Sequence, residues 1–293
     1  MKKVRKTTFD SFNSKRISYI ISTKNRADRL RNALISSRNY KGINDELIVI
    51  DGGSTDNTKE VVDEFIDIID TYVSEPDIND KEAWNKGFLL SRGKYIKQIM
   101  DDDIFYKEAL EKANQVMEKN PEVDMIVCGG IRKQNGKETV IYVPPGSNYG
   151  SSVDDIFKNG FTTSGMGIFF RRNLLFKVGL FEVDRPYPDK GFILRSIYLG
   201  GNIKFCRINM FFHTLSEDSL TVKTEDDYVS EYRLLLNRYC SDKYKKMFNR
   251  KNRIWYRILS WGLKISRSLI SKRNFNIINS KNISKPIWDG GFS

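Results

Sequence analysis

The chain has 293 residues, of which 40% are hydrophobic and 29% charged, and its formal net charge is +12. The length allows one large domain or a domain with an appendage, and the composition is that of a globular protein rather than a fibrous or disordered one. The sequence has no run of about 18 uncharged apolar residues, and its basic start lacks the apolar centre of a secretory signal, so we expect neither a membrane span nor a signal peptide.

The positive charge is concentrated at the C-terminal end. Residues 241–293 contain 13 Lys or Arg and 2 Asp or Glu, whereas residues 1–240 are nearly neutral. The body of the chain therefore needs no nucleic-acid partner to explain its charge. Cys128, Cys206 and Cys240 are far apart and lack the spacing of metal ligands, which predicts buried thiols in a reducing cytoplasm.

Apolar and β-branched runs alternate with amphipathic stretches along the body of the chain. In chain order the pattern predicts strands at 17–21, 46–50, 72–73, 95–100 and 125–128, and helices at 27–37, 57–69, 80–91 and 107–119. Such alternation is typical of βαβ units on a mostly parallel sheet. Ligands of these sheets bind beyond the carboxyl ends of the strands, so polar residues at those ends are candidate site residues.

Three of the predicted strands end in polar sequences. STKNR follows the first strand, DGGSTDNT the second and DDD the fourth. Asp51 ends the second strand and can accept a hydrogen bond from a base or a ribose; a purely structural turn is the alternative. Residues 54–58 suit the cap of the following helix.

The three consecutive carboxylates Asp101, Asp102 and Asp103 each raise the cost of ionising their neighbours. Hard divalent cations such as Mg²⁺ or Mn²⁺ take carboxylate oxygens, and a cation that bridges a diphosphate would relieve this repulsion. A solvated acidic turn that caps the helix beginning at Lys107 is the alternative.

Five pieces of the sequence, in this order, resemble glycosyltransferase family 2 enzymes with a GT-A fold, over roughly residues 16–215. They are ISYIISTKNR, ELIVIDGGSTDNT, SEPDINDKEAWNKGF, RGKYIKQIMDDDIFYKEAL and YPDKGFILRSIYLGG. The resemblance implies an α/β, Rossmann-like nucleotide-diphospho-sugar transferase fold with a mostly parallel central sheet flanked by helices. It also implies an inverting hexosyl- or N-acetylhexosaminyltransferase whose donor is a nucleotide-diphosphate sugar, expected to be a UDP-sugar.

The resemblance also assigns the donor pocket. It implies that Thr23, Asn25 and Arg26 line the nucleotide pocket, that Asp51 contacts the base, and that Asp77 lies near the nucleoside. Many relatives carry an Arg where this chain has Trp84. The indole of Trp84 either stacks on the nucleotide or belongs to the core.

The metal site follows from the same resemblance. Asp102 is expected to be the principal ligand of Mn²⁺ or Mg²⁺, with Asp101 toward the ribose and Asp103 as a neighbouring or water-mediated ligand. An Asp-x-Asp reading would instead use Asp101 and Asp103. His213, the only histidine, is a further candidate ligand because imidazole suits Mn²⁺, with a packed side chain as the alternative.

Transfer of a sugar requires a general base as well as a metal. The cation stabilises the charge that builds on the leaving diphosphate, and a carboxylate on the opposite face of the sugar takes the proton of the acceptor hydroxyl. In PDKGFILR the resemblance assigns Asp189 as this base, with Arg195 on the helix that follows. Asp184 is the competing candidate, and a loop cap is the structural alternative for either residue.

The tail has an amphipathic pattern. Five apolar residues fall on one helical face of residues 253–273, beside basic ones; they are Ile254, Ile258, Trp261, Ile265 and Leu269. A basic helix with tryptophans predicts peripheral contact with an anionic membrane, and packing on the catalytic domain or a partner subunit is the alternative.

We therefore predict a basic lead-in at 1–15, a catalytic domain at 16–220, with a nucleotide half at 16–105 and an acceptor half at 106–220, and a basic helical extension at 221–293. The expected role is transfer to a hydroxyl of a glycan or lipid-linked acceptor in cell-surface polysaccharide biosynthesis, in the cytoplasm or on the inner face of the cell membrane, with no nucleic-acid partner. A nucleotidyltransferase is an alternative that would need an early Gly-rich basic loop in place of STKNR. A nonenzymatic glycan- or membrane-binding module is the other, and it would not need DDD together with Asp189.

Overall fold

The computed structural model describes residues 16–101, 103–134, 137–141, 152–159, 165–214 and 225–246. Their strands are β1 (Ile17–Thr23), β2 (Glu46–Asp51), β3 (Thr71–Ser74), β4 (Tyr95–Met100), β5 (Asp103–Phe105), β6 (Met125–Gln134), β7 (Lys137–Ile141), β8 (Ile168–Arg171) and β9 (Ile203–Thr214). Their helices are α1 (Ala27–Tyr40), α2 (Thr58–Glu64), α3 (Asp80–Leu90), α4 (Lys107–Lys119), α5 (Val153–Asn159), α6 (Leu174–Val178), α7 (Pro188–Tyr198) and α8 (Glu225–Tyr239).

The strands form one mixed sheet in the order β3-β2-β1-β4-β8-β6-β9-β5, with β7 paired to β6. The β3, β2, β1 and β4 strands are parallel, as the alternation of strands and helices predicts. Beyond β4 the pairings change: β8 is antiparallel to both of its neighbours, β9 is parallel to β6, and β5 is antiparallel to β9. The α/β fold class is confirmed, and the strands that follow β4 add the antiparallel pairings.

Side chains of the central strands alternate between the two faces of the sheet. Ile20, Ile48 and Ile96 enter the core on the face covered by α3 and α7, while Tyr19 and Val49 enter the core on the face covered by α1 and α4. Both faces of β1, β2 and β4 are therefore buried, and only their carboxyl ends open toward a ligand. All three cysteines are buried and free, as the sequence predicts.

The α8 helix packs on the preceding part of the chain. Leu235 and Leu236 are buried against it, Arg185 pairs with the buried Glu231, and Arg238 pairs with Glu182. The predicted boundary at residue 220 stays a prediction. The predicted amphipathic helix at 253–273 lies outside the described residues. Within the described part of the chain, no helix is long and apolar enough to cross a membrane.

Candidate active site

Asp51, the last residue of β2, is held by four hydrogen bonds from its own loop and the neighbouring strand. Its Oδ1 accepts from the backbone N–H and the hydroxyl of Ser54 at 2.9 and 2.5 Å, and its Oδ2 accepts from Tyr72 and Ser74 hydroxyls at 3.0 and 2.7 Å. A carboxylate offers about four acceptor positions, so these donors occupy them. Asp51 shapes the loop in this conformation, and a contact with a base requires one of the hydroxyls to turn away.

The loop after β1 is fastened to the loop after β2. Asn25 has a left-handed φ of 53°, a conformation that asparagine tolerates better than most residues. Its N–H donates to the Ser54 hydroxyl at 2.8 Å, and its side-chain oxygen accepts from the Thr55 N–H at 2.8 Å. Asp56 accepts from the Ala27 N–H at 3.0 Å. Asn25 thus joins the two loops that border the predicted nucleotide pocket.

Asp101 directly follows β4 and is paired with the β1 loop. Its Oδ1 lies 2.9 Å from Nη1 of Arg26, and its Oδ2 accepts from the Thr23 hydroxyl at 3.3 Å. Only 4% of Asp101 is exposed, whereas the Arg26 side chain is 36% exposed. The Arg26 guanidinium therefore offsets one charge of the acidic triplet. Three residues assigned from the sequence, Thr23, Arg26 and Asp101, are brought together at this edge.

Asp77 lies at the same edge. Its carboxylate is 3.3 Å from Nζ of Lys24, and it fills the space beside Gly52, where a Cβ would lie only 2.4 Å from Asp77 Oδ2. The glycine of the DGG turn is needed for this close approach. The sequence places Asp77 near the nucleoside, and the structure puts it next to the Asp51 loop.

The metal assignment rests on residues that are only partly described. Asp103 is directly opposite His213 in the antiparallel β5–β9 pair, and His213 is 9% exposed. Asp102 and the side chain of Asp103 lie outside the described part. Among the side chains that the structure describes, no group of three or more His, Cys, Asp or Glu is placed to hold a metal ion. The predicted ligand set of Asp102, Asp103 and His213 stays a prediction.

Asp189 lies in the first turn of α7, after Pro188 at the helix start. Burial raises the pKa of Asp189, and the nearby Lys190 charge and the N–H groups of Lys190, Gly165 and Asp189 itself only partly offset this effect. A Cβ on Gly165 would lie 2.9 Å from the Asp189 Cβ, so the turn at 165–167 backs the carboxylate closely. A raised pKa suits a general base, whereas the competing candidate Asp184 is exposed in the preceding loop.

Two residues of the family-like motifs have structural roles. Trp84 is 3% exposed and belongs to the core, so its indole does not stack on a nucleotide in this conformation. Arg195 pairs with Glu182 at 2.8 Å and donates to the Leu180 carbonyl oxygen. Arg195 therefore fastens α7 to the loop that precedes it, and Trp84 is part of the core beneath the sheet.

Sequence reasoning missed Lys97, a fully buried cation in β4. Its Nζ donates to the carbonyl oxygens of Met166 and Ile168 and lies 4.5 Å from the centre of the Phe105 ring. Lys97 thus ties the strand that leads to Asp101 to the turn that backs Asp189. A lysine in the middle of the apolar strand YIKQIM was the available signal.

The chain is similar in sequence to known glycosyltransferases. The model of the family described as Glycosyl transferase family 2 matches residues 18–181. An uncharacterized glycosyltransferase of Rickettsia prowazekii is 29% identical over 194 residues, which cover 62% of this chain and 60% of that protein. Poly-beta-1,6-N-acetyl-D-glucosamine synthase of Staphylococcus epidermidis is 24% identical over 59% of this chain and 43% of its own length. The chain thus spans about half the length of these relatives.

Solved structures share the fold. The S. aureus TarS fragment 1–349 in complex with UDP-GlcNAc superimposes with a TM-score of 0.58 at 17% identity, over 89% of this chain and 76% of that one. Glucosyl-3-phosphoglycerate synthase of Mycobacterium tuberculosis, in complex with Mn²⁺, UDP and glucosyl-3-phosphoglycerate, gives a TM-score of 0.54 at 15% identity, over 82% of this chain and 86% of that one. At this level of identity the likeness establishes the GT-A fold alone.

Proposed function

The chain belongs to glycosyltransferase family 2, and from this premise we propose that it is an inverting, divalent-metal-dependent enzyme that moves a sugar from a nucleotide-diphosphate donor, a UDP-sugar, to a hydroxyl group. The observation that carries the proposal is the convergence of Thr23, Asp51 and Asp101 at the carboxyl ends of β1, β2 and β4. Ligands of such sheets bind at this edge. Family membership also disfavours the nucleotidyltransferase and the nonenzymatic binding module.

The donor proposal draws on the site and on the neighbours. Asp77 and Asp51 border one loop, and Asn25 and Arg26 border the other, so a nucleoside between them would meet fixed polar groups. The TarS fragment was solved with UDP-GlcNAc and the mycobacterial synthase with UDP, which supports a uridine nucleotide and a hexosyl or N-acetylhexosaminyl group.

The chemistry of the candidate donor set fits a hard divalent cation. The backbone pairs Asp103 with His213, and carboxylate with imidazole is a combination that Mn²⁺ accepts. Asp102, Asp103 and His213 would hold the ion, while Asp101 stays with Arg26 and Thr23. When bound, Mn²⁺ or Mg²⁺ supplies charge stabilisation to the leaving diphosphate. The mycobacterial synthase, solved with Mn²⁺, supports this choice.

The protein's own groups account for the proton transfer. Asp189 accepts the proton of the acceptor hydroxyl as that oxygen attacks the anomeric carbon, and its raised pKa, caused by burial, makes it a stronger base than an exposed aspartate. The turn at 165–167 and Lys97 fix its position. Because the base and the leaving group act on opposite faces of the sugar, one displacement inverts the anomeric centre.

We place the reaction in cell-surface polysaccharide biosynthesis, with a glycan or lipid-linked acceptor. The likeness to poly-beta-1,6-N-acetyl-D-glucosamine synthase supports this pathway class. Cytoplasmic action on the inner face of the membrane, with the basic segment 253–273 as the peripheral contact, is part of the proposal and rests on sequence alone.

The test is a thermal-shift titration with UDP, GDP and UDP-GlcNAc, each with Mn²⁺ or with EDTA. Ligand at about a hundred times its Kd stabilises a protein by about 2.7 kcal/mol, so we expect UDP with Mn²⁺ to raise the Tm by about 5 °C or more. Asp102→Ala should abolish the Mn²⁺-dependent part. The matched control is Asp63→Ala, which removes an exposed carboxylate paired with Lys59. A protein that no nucleotide stabilises would contradict the proposal.

A further inference from the structure

The ammonium group of Lys97 lies where three segments of the molecule meet. Lys97 is in the middle of β4 and is fully buried. Its Nζ donates to the carbonyl oxygen of Met166 and, at 3.4 Å, to that of Ile168, and it lies 4.5 Å from the centre of the Phe105 ring. A buried ammonium group is costly, and hydrogen bonds to carbonyl oxygens and contact with an aromatic face offset that cost.

The first of these segments, the turn at 165–167, also contacts the candidate base. The N–H of Gly165 donates to the Asp189 carboxylate. A Cβ on Gly165 would lie 2.9 Å from the Asp189 Cβ and 3.1 Å from its Oδ2, so no side chain fits between the turn and the base. Lys97 binds the carbonyl oxygen of Met166, the residue that follows Gly165. The hydrogen bonds of Lys97 therefore fix the turn against which Asp189 packs.

The other two segments carry the acidic triplet. The β4 strand that contains Lys97 leads directly into Asp101, and β5 begins at Asp103 and ends at Phe105. The register of β5 and β9 places Asp103 opposite His213. One ammonium group thus contacts the turn behind the candidate base and a residue of the strand that carries a candidate metal ligand.

We propose that Lys97 is a positioning residue that sets the separation between Asp189 and the acidic triplet at 101–103. The inference rests on the proposed function, because it takes Asp189 as the base and the triplet as the donor side. In an inverting displacement the base and the leaving group act on opposite faces of one sugar, so the distance between them has to be fixed. Because Lys97 is fully buried, it acts through the turn at 165–167 and through Phe105.

The test is a double-variant cycle of Lys97→Met and Asp189→Asn on the full chain, read by kcat for UDP release from UDP-GlcNAc with Mn²⁺. Methionine is a long, unbranched side chain without the ammonium group. Misplacing reacting groups by about 1 Å costs about a hundredfold in rate, so we expect Lys97→Met to lower kcat about a hundredfold while the Kd for UDP stays within about twofold. In Asp189→Asn the same change should lower the remaining kcat by less than about threefold, because residues that act as a unit are not additive.

Two further variants separate positioning from a general loss of stability. Phe105→Leu removes the ring beside the ammonium group but keeps an apolar side chain, and it should lower kcat about threefold, the effect of one cation–π contact. Lys94→Met removes an exposed cation that precedes the same strand and is paired with Glu118 at 2.7 Å. This matched control should keep kcat within about twofold of the wild type.

Other outcomes overturn the inference. Wild-type kcat in Lys97→Met, or losses from Lys97→Met and Asp189→Asn that multiply in the double variant, would leave Lys97 a structural residue while the proposed function stands. Where Lys97→Met does not fold, an unchanged kcat in Phe105→Leu overturns the inference. A wild-type protein that neither binds nor releases UDP contradicts the proposed function. The cycle is then read by urea unfolding, where coupling between the two changes supports the link from Lys97 to Asp189 and additive losses exclude it.

Discussion

Two regions differ in how their charged groups are compensated: the candidate nucleotide edge, which carries Asp51 and Asp101, and the candidate acceptor wall, which carries Asp189 and Lys190. At the nucleotide edge, Asp51 accepts four hydrogen bonds and Asp101 is paired with Arg26 and Thr23. At the acceptor wall, burial shifts the pKa of Asp189 upward and that of Lys190 downward. The protein compensates the charges of Asp51 and Asp101, whereas burial disfavours the charged forms of Asp189 and Lys190.

The difference separates a preorganised binding region around Asp51 and Asp101 from a reactive region around Asp189. Groups that only have to bind can be fixed by many hydrogen bonds, which lowers the cost of ordering a ligand around them. A base must instead be able to take a proton, and saturating it with donors would lower its pKa and its basicity.

Asp189→Asn should remove sugar transfer without removing donor binding. Loss of a general base costs about 10²–10⁴ in rate, so we expect kcat to fall about a thousandfold while the Kd for UDP stays within about twofold. The measurement is UDP release during transfer, together with UDP calorimetry. Asp184→Asn, which changes the exposed neighbouring carboxylate, is the control and should keep its activity. The reverse pattern would make Asp184 the base.

Asp51→Ala should destabilise the nucleotide edge strongly. The change removes the charged acceptor of the half-buried Ser54 and Tyr72 hydroxyls and of the exposed Ser74 hydroxyl, and a hydrogen bond to a charged group contributes about 1.5–3 kcal/mol, less where water can replace it. We expect the free energy of unfolding in urea to fall by about 3 kcal/mol. Asp63→Ala on the exposed face of α2 should stay within about 0.5 kcal/mol. Equal losses in the two variants would mean that the network around Asp51 contributes little.

Glycine-to-alanine changes should have opposite signs in the two regions. At Gly52 the new Cβ would lie 2.4 Å from Asp77 Oδ2, so Gly52→Ala should cost about 1–3 kcal/mol of stability and weaken nucleotide binding. At Gly191, inside α7, the nearest heavy atom is 3.7 Å away, so Gly191→Ala should stabilise the protein by up to about 1 kcal/mol. Urea unfolding of both variants measures the pair. A destabilised Gly191→Ala would show that α7 is packed as tightly as the donor loop.

The smallest effect is a stability gain in the inactive base variant. Because the folded-state pKa of Asp189 is raised, its ionised form costs stability above that pKa, and the cost disappears as the pH falls below both the folded and the unfolded pKa. We expect the Tm of Asp189→Asn to exceed that of the wild type by about 1–3 °C at pH 7 and to match it near pH 3. A lower Tm at pH 7 would mean that the N–H groups around the carboxylate outweigh its burial.

The sequence predicted the elements of the nucleotide half closely. The β4 and α4 bounds agree with the prediction, and β1 and α1 extend it by two and three residues. These segments have strong local patterns, because strands buried on both faces are continuous apolar runs and the helices that cover them are amphipathic. The predicted helix at 57–69 ends earlier, at Glu64. The short elements β5, β7 and α5 were not predicted, since short elements stabilised by distant contacts leave little local pattern.

For the site, the sequence predicted the order of the motifs but not which of their residues contact one another. Sequence placed Thr23, Asp51 and Asp101 at strand ends, and the structure brings Thr23 and Asp101 into contact. The sequence allowed Trp84 to be either a ring that stacks on the nucleotide or a core residue. Its exposed fraction of 3% places it in the core.

The family resemblance, the alternation of strands and helices, and the polar residues at the strand ends could all be predicted from the sequence, because each depends on neighbouring residues or on a fixed period. Which charges are compensated depends on the folded chain. Hydrogen bonding at Asp51 and burial at Asp189 and Lys190 arise between segments far apart in the chain, and the free energy of a charge depends on everything that surrounds it.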